Sequence, residues 1–219
     1  MGKNRRKFQK ERPPKPTSIE ARWRLFIAVP MPPPATALVE EIVADLAAEE
    51  WPVRWIAAES AHLTLHFLGD TEPERAELLR LGLRGTVARH AAFTLQTGNL
   101  GVFPDERRPR VIWLGLQGQT PRLVSLHADL AATLRSLEFP VEDRALRPHI
   151  TLGRIRDNPP ADLPEALRRR LGNPALLERV ARAATPVPVR EVLLVRSVLS
   201  REGARHEPLA RYPLADSTT

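Results

Sequence analysis

One short pattern occurs twice in this chain, each time inside an apolar run, and it constrains the fold more than any other feature. The copies read Ala61-His62-Leu63-Thr64-Leu65-His66-Phe67-Leu68-Gly69 and Arg147-Pro148-His149-Ile150-Thr151-Leu152-Gly153, with His62 and His149 separated by 87 positions. Of six histidines, only these two carry Thr at the second following position and Leu at the third. Successive side chains of a strand point to opposite faces. His62 and Thr64 therefore share one face, with Leu63 and Leu65 on the other, and His149 and Thr151 stand likewise against Ile150 and Leu152. Strict alternation also puts His66 on the His62 face. Each strand is expected to anchor by its apolar side and to present an imidazole and a hydroxyl on the opposite side. Two such strands lining one groove would bring four polar groups together.

The rest of the chain supplies a scaffold for such a pair. Alternation over 22–29 reads as a largely buried strand, ended by Pro30, Pro32, Pro33 and Pro34. From Ala35 onward Leu38, Ile42, Val43 and Leu46 fall at helical spacing, which predicts a helix packed on that strand. Further strands are expected at 53–56, 61–68, 93–102, 110–116, 149–155, 187–199 and 206–214. Helices are expected after Thr71, after Thr120-Pro121, and between 164 and 182. The order is mixed, without the regular alternation or Gly-rich turn of a dinucleotide-binding fold. An α+β protein with largely antiparallel sheets follows, and its two halves each carry a helix followed by a His-x-Thr-Leu strand. A pseudo-symmetric, two-lobed architecture is the expectation.

Composition narrows the chemistry. With 219 residues, 42% of them hydrophobic, the chain can bury a sizeable core. No window reaches the run of roughly 18 apolar residues that a spanning helix needs, and the N-terminus lacks the apolar stretch of a signal peptide. The expected location is the cytoplasm, with no membrane partner. The absence of cysteine excludes disulfides, thiolate metal sites and cysteine nucleophiles. A formal charge of +7 is compatible with a polyanionic partner, although part of it sits in the opening Lys3, Arg5, Arg6, Lys7, Lys10, Arg12 and Lys15. Residues 1–21 have too few apolar groups to offset their ordering entropy and read as a disordered basic arm. A single bilobal domain is expected over 22–215, with a tail over 216–219.

Two imidazoles and two hydroxyls suit phosphodiester hydrolysis. A neutral imidazole can take a proton from water as it attacks phosphorus, and an imidazolium can protonate the departing ribose oxygen. Thr64 and Thr151 can donate to the non-bridging oxygens, where charge builds. Arg147 could add a cation. The spacing of His62 and His66 is that of a helical zinc pair, but the context reads as a strand and neither repeat holds a carboxylate, so no metal is expected. No Gly-x-Ser-x-Gly elbow and no phosphate-binding Gly-x-x-x-x-Gly-Lys loop is present. Phe67, Phe103 and Trp113 are candidates to stack a terminal base, with core packing the expected job of each.

The two motifs resemble those of the two-histidine phosphoesterase superfamily, and more narrowly the chain is similar to the bacterial and archaeal RNA 2′,3′-cyclic phosphodiesterases, historically called 2′-5′ RNA ligases. The similarity extends to Arg24-Leu25-Phe26-Ile27-Ala28 and Tyr212-Pro213-Leu214 and covers about 22–214. It implies a bilobal fold whose motif strands line a central cleft. It also implies hydrolysis of 2′,3′-cyclic phosphate ends of RNA, tRNA fragments among them, to 2′-phosphates without a cofactor. The first-motif histidine, His62, would be the proton donor and the second, His149, the acceptor. Arg147, His66 and Phe67 are further candidates for substrate contact, and a monomer is expected. Competing readings are 2′-5′ ligation and a non-catalytic RNA clamp. The Arg168-Arg169-Arg170 run departs from the family pattern, and could widen an RNA surface or be solvated decoration.

Overall fold

The computed structural model describes residues 22–142, 144–200 and 203–216. The arm expected over 1–21, and all but the first residue of the expected tail, lie outside them. Nine strands are formed: β1 (Trp23–Pro30), β2 (Val53–Trp55), β3 (His62–Thr71), β4 (Phe93–Phe103), β5 (Val111–Gly118), β6 (His149–Ile155), β7 (Pro186–Val189), β8 (Glu191–Ser200) and β9 (Gly203–Pro213). Five helices accompany them: α1 (Pro33–Ala47), α2 (Pro73–Val87), α3 (Thr120–Ser136), α4 (Leu163–Leu171) and α5 (Pro174–Arg182). Every one of these helices has proline in its first turn. There the missing N–H costs nothing and the fixed φ favours a helical start.

The strands join in the order β7-β4-β5-β6-β3-β1-β8-β9, with β2 added beside β6. All strand pairings are antiparallel. The centre of the sheet is its narrowest joint, a single rung of Leu63 against Ile150. On one side β1, β3, β8 and β9 make the first lobe; on the other β2, β4, β5, β6 and β7 make the second. Leu63 and Ile150 are the residues between His and Thr in the two motifs, so the joint of the lobes and the centre of the repeat coincide. One sheet face meets the helices in a core that includes Leu25, Ile27, Leu63 and Leu65 from the first lobe and Ile112, Leu114, Ile150 and Leu152 from the second. The other face of the first lobe has a small separate cluster, Phe26, Ala28, Leu193 and Val195.

Two helices cover the lobe that did not lead into them. α1 leaves β1 but lies chiefly against β2 and β6, and α3 leaves β5 but packs on α2 and β3. The expectation that the first helix packs on the first strand is corrected accordingly. Ion pairs hold the second lobe's helices together: Asp45 of α1 meets Arg170 at 2.5 Å and Arg179 at 2.8 Å, and Glu49 meets Arg170 at 2.7 Å. Arg168 pairs with Glu165 at 2.7 Å. Within the Arg168-Arg169-Arg170 run, then, two members serve the helix layer, and Arg170 fastens α4 to α1.

Two expected elements are each divided. The segment 164–182 breaks at Gly172-Asn173, where the Asn173 side chain accepts a hydrogen bond from the Leu176 N–H at 3.2 Å and Pro174 restarts the helix. The strand expected over 187–199 breaks at Arg190, because the chain changes lobes there: β7 pairs with β4, and β8 with β1 and β9. Pro186 and Pro188 suit β7, an edge strand that needs no donors on its outer side.

Candidate active site

One step to either side of the Leu63–Ile150 rung lie His62 and Thr64 on β3 and Thr151 and His149 on β6. In an antiparallel pair this sets each histidine toward the other strand's threonine and makes the two histidines diagonal neighbours, about 7–8 Å apart. The four side chains are half-buried, while Leu63, Leu65, Ile150 and Leu152 are buried. The expected division of faces holds. Nδ1 of His62 donates to the Ser60 carbonyl at 2.7 Å, and Nδ1 of His149 donates to the Arg147 carbonyl at 2.6 Å. A carbonyl can only accept, so each ring carries a proton on Nδ1 and turns Nε2 to the cleft. The two rings are matched: same anchor atom, same type of partner, two residues upstream in both cases.

The walls around the rings are apolar. Phe26 packs on His62 with centroids 4.8 Å apart, and Phe103 meets His149 edge-on at 4.8 Å. Burial pushes His62 from its ordinary 6.5 down to about 4, against the bond to Ser60, and His206, His149 and Arg154 push it further down. Burial also lowers His149, against the bond to Arg147, with Arg154 and Arg147 adding to the shift. At neutral pH both motif imidazoles are uncharged in the free cleft.

Beyond the threonines each motif strand carries a β-bulge. Ile27 pairs with His66 and Ala28 with Thr64, which leaves Leu65 extra; Ile112 pairs with Gly153 and Trp113 with Thr151, which leaves Leu152 extra. An inserted residue reverses the alternation that follows it. The expected position of His66 is thereby overturned: it is 4% exposed and lies behind the strand, where its Nε2 donates to the His127 carbonyl at 3.0 Å and its ring stacks on His127 at 4.1 Å. His62 and His66 cannot converge on one metal ion from opposite faces. Among the described residues no group of three or more His, Asp or Glu is arranged to hold one.

The same reversal brings Phe67 to the cleft face, 52% exposed and 6.3 Å from Phe26. Phe103 and Trp113 also differ from the expected core role. Their rings pack together at 5.1 Å beside His149, and the Arg147 guanidinium lies over Phe103 at 4.8 Å. Arg147 is thus placed at the site's edge by an aromatic face. Two cleft residues were missed by the sequence reading. His206 on β9 sits edge-on to His62, with centroids 5.0 Å apart, and to Phe26 at 5.0 Å. Arg154 is close enough to bear on both catalytic-pair candidates. It occupies the position in the second repeat that Phe67 occupies in the first, so carrying the repeat two residues further would have found it.

The family model of the 2′-5′ RNA ligase superfamily matches residues 27–198. An RNA 2′,3′-cyclic phosphodiesterase of Geobacillus stearothermophilus is 31% identical over 194 residues, covering 88% of this chain and 58% of that protein. One from Escherichia coli K12 is 32% identical over 195 residues, 87% of this chain and 96% of its own length. The chain thus spans less than two thirds of the first relative and nearly all of the second. Among solved structures, a Thermus thermophilus protein superposes with a TM-score of 0.68 at 26% identity, over 89% of this chain and all of the other. Sequence match, relatives and fold agree, and this chain belongs to the 2′-5′ RNA ligase superfamily.

Proposed function

We propose that this chain hydrolyses 2′,3′-cyclic phosphate ends of RNA to 2′-phosphates, with His62 and His149 as its acid–base pair. The observation that carries the reading is the pair of Nε2 atoms presented from diagonal positions across one rung, each fixed by a backbone carbonyl. The reaction needs that geometry. Water attacks phosphorus opposite the 3′ oxygen while His149 Nε2 takes a proton from the water. The P–O3′ bond breaks as His62 Nε2 delivers a proton to O3′, and the phosphate stays on O2′. Thr64, Thr151 and Arg154 stand where the non-bridging oxygens gain charge. Both histidines come from one chain, so the site needs no second copy, and a monomer suffices.

Donation by His62 requires a proton that the free cleft does not hold at neutral pH. An anionic phosphate between the rings reverses the effect of the surrounding cations and favours the charged imidazole. The proton therefore enters with or after the substrate. Arg147, resting on Phe103, and the exposed Phe67 are positioned to meet the rest of the nucleotide. Among the described residues no helix is long and apolar enough to cross a membrane, and a cysteine-free enzyme of this kind fits the cytoplasm. The test is incubation of a 2′,3′-cyclic mononucleotide with the protein in excess EDTA and identification of the product by phosphorus NMR. A 2′-phosphate is expected; no turnover, a 3′-phosphate, or activity that returns only with added metal contradicts the reading.

A further inference from the structure

Beside the catalytic rung the sheet sets two arginines directly opposite each other. β2 pairs with β6 in the register Val53 to Ile155, Arg54 to Arg154 and Trp55 to Gly153. Directly opposed residues share a face, with Cβ atoms about 5 Å apart. The core face at this point is occupied: Val53 and Ile155 belong to the core, and a Cβ on Gly153 would lie 2.6 Å from Val53 and 2.8 Å from Trp55. Arg54 and Arg154 therefore project together from the other face, the one that carries His149 and Thr151. Both are exposed.

Like charges set directly across a strand pair oppose folding, and a protein commonly offsets such a pair with a carboxylate. Several other arginines have such a partner, although among the described residues Arg147 and Arg156 do not. Arg170 and Arg179 meet Asp45, Arg168 meets Glu165, Arg182 meets Glu178 and Arg110 meets Asp157. The side chains of Arg54 and Arg154 have neither a hydrogen bond nor an ion pair among the described residues. Two unpaired guanidinium groups in one rung, continuing outward from the histidines, form a site for two successive anionic groups.

We propose that Arg54 binds the internucleotide phosphate next to the reacting end, while Arg154 serves the reacting phosphate itself. The substrate is then the terminus of an oligonucleotide, and a free cyclic mononucleotide leaves half of the arginine rung empty. This rests on the proposed phosphodiesterase reading and adds to it the length of substrate the site is built to hold.

The experiment compares Arg54→Ala with the unaltered protein on two substrates, a cyclic mononucleotide and a dinucleotide that ends in a 2′,3′-cyclic phosphate. The mononucleotide should be turned over within about twofold of the unaltered rate, because Arg54 does not reach the reacting phosphate. On the dinucleotide, kcat/KM should fall about tenfold or more, the size of one lost charge-assisted hydrogen bond. The slope of log kcat/KM against log salt should become shallower by about 0.7. A dinucleotide with a neutral methylphosphonate link gives the same comparison without altering the protein, and should lose as much on the unaltered enzyme. Equal losses on both substrates, or no loss on the dinucleotide together with indifference to the neutral link, would overturn the proposal. Failure of the unaltered protein to open the cyclic mononucleotide at all would instead overturn the reading on which it rests.

Discussion

The two motif strands use the same four-residue opening, His-x-Thr-Leu, and the same bulge but finish differently. In β3 the residue behind the bulge is His66, stacked on His127, and the residue in front is Phe67. In β6 the residue behind is Gly153, with Val53 and Trp55 filling the space a side chain would take, and the residue in front is Arg154. The bulge is thus common to both halves, whereas the filling behind it is local. In the first lobe α3 approaches the strand through a reciprocal pair of bonds, His66 to the His127 carbonyl and the His127 ring to the backbone of Leu65, the bulged residue itself. In the second lobe a tryptophan from the adjoining strand does that work. The consequence on the cleft side is asymmetric. The two motif histidines are matched, but the first lobe adds a second histidine, His206, and the second adds cations, Arg147 and Arg154, while both lobes supply aromatic rings.

The largest expected effects test the matched part. His62→Ala and His149→Ala should each lower kcat by about 10²–10⁴-fold, the range for one general acid or base, with folding unchanged by circular dichroism because both side chains face the cleft. The comparison becomes sharper with a substrate whose leaving group needs no proton. Such an analogue should restore His62→Ala and leave His149→Ala inactive; equal rescue of both would show that the histidines do not divide the labour as proposed.

Next in size is the acid sensitivity of the first lobe's backing. Burial holds His66 near 4, against its bond to His127 and with His127 and Arg135 lowering it further. A buried neutral histidine contributes stability that is complete above about pH 6.5, the unfolded value, and is lost as pH falls toward 4, since the unfolded chain binds the proton more readily. At about 1.4 kcal/mol per unit the full loss is about 3 kcal/mol. Denaturant titrations of His66→Leu should show a stability curve flatter between pH 6.5 and 4 by up to this amount. An unchanged slope would show that the stacked pair tolerates a proton.

The second lobe offers the counterpart. Gly153→Ala inserts a methyl group 2.6 Å from Val53 and 2.8 Å from Trp55 and should cost about 1–3 kcal/mol by overpacking, read as a lower denaturation midpoint at every pH. Full native stability would mean that β2 yields more easily than the packing implies.

The smallest effect is a displacement between two pH profiles. The proposed mechanism needs the histidines in opposite protonation states, so both profiles should be bell-shaped, with apparent pKa values that belong to the pair. Both rings are lowered in the free cleft, and kcat/KM reports the free enzyme, so its maximum should lie on the acid side of pH 6.5. The alkaline limb of kcat should lie at higher pH, because bound phosphate favours the imidazolium. Coincident limbs would remove the substrate's role in charging the pair.

Much of the site was legible because period-two alternation and the repeat are local properties of the chain. The faces of His62, Thr64, His149 and Thr151 follow from it directly. The bulges at Leu65 and Leu152 were not legible, since they exist only in the pairing of β3 with β1 and of β6 with β5. Strict alternation past them puts His66 toward the cleft, where the structure buries it, and makes core packing the expected job of Phe67, whose candidacy for substrate contact the exposed ring fits better. Phe103 and Trp113 were misread for a related reason: an aromatic residue on a strand looks the same in sequence on either face of the sheet. His206 had no local signal, because β9 reaches His62 only through the order of the sheet. The division at Gly172-Asn173-Pro174 was written in breaker residues. The lobe change at Arg190 was not, because strand-forming residues continue on both sides of it.

The strand order also sets a timetable for synthesis. β1 leaves the ribosome before the other described strands, yet its neighbours in the finished sheet are β3 and β8, and β8 itself must be covered by β9. At about 5–20 residues per second the lobe that holds His62 waits on the order of ten seconds or more with an open edge. The lobe that holds His149 lacks only β7 once α5 has emerged. The motif pair is therefore completed from the middle of the sheet outward, and His62, made before His149, belongs to the lobe closed later.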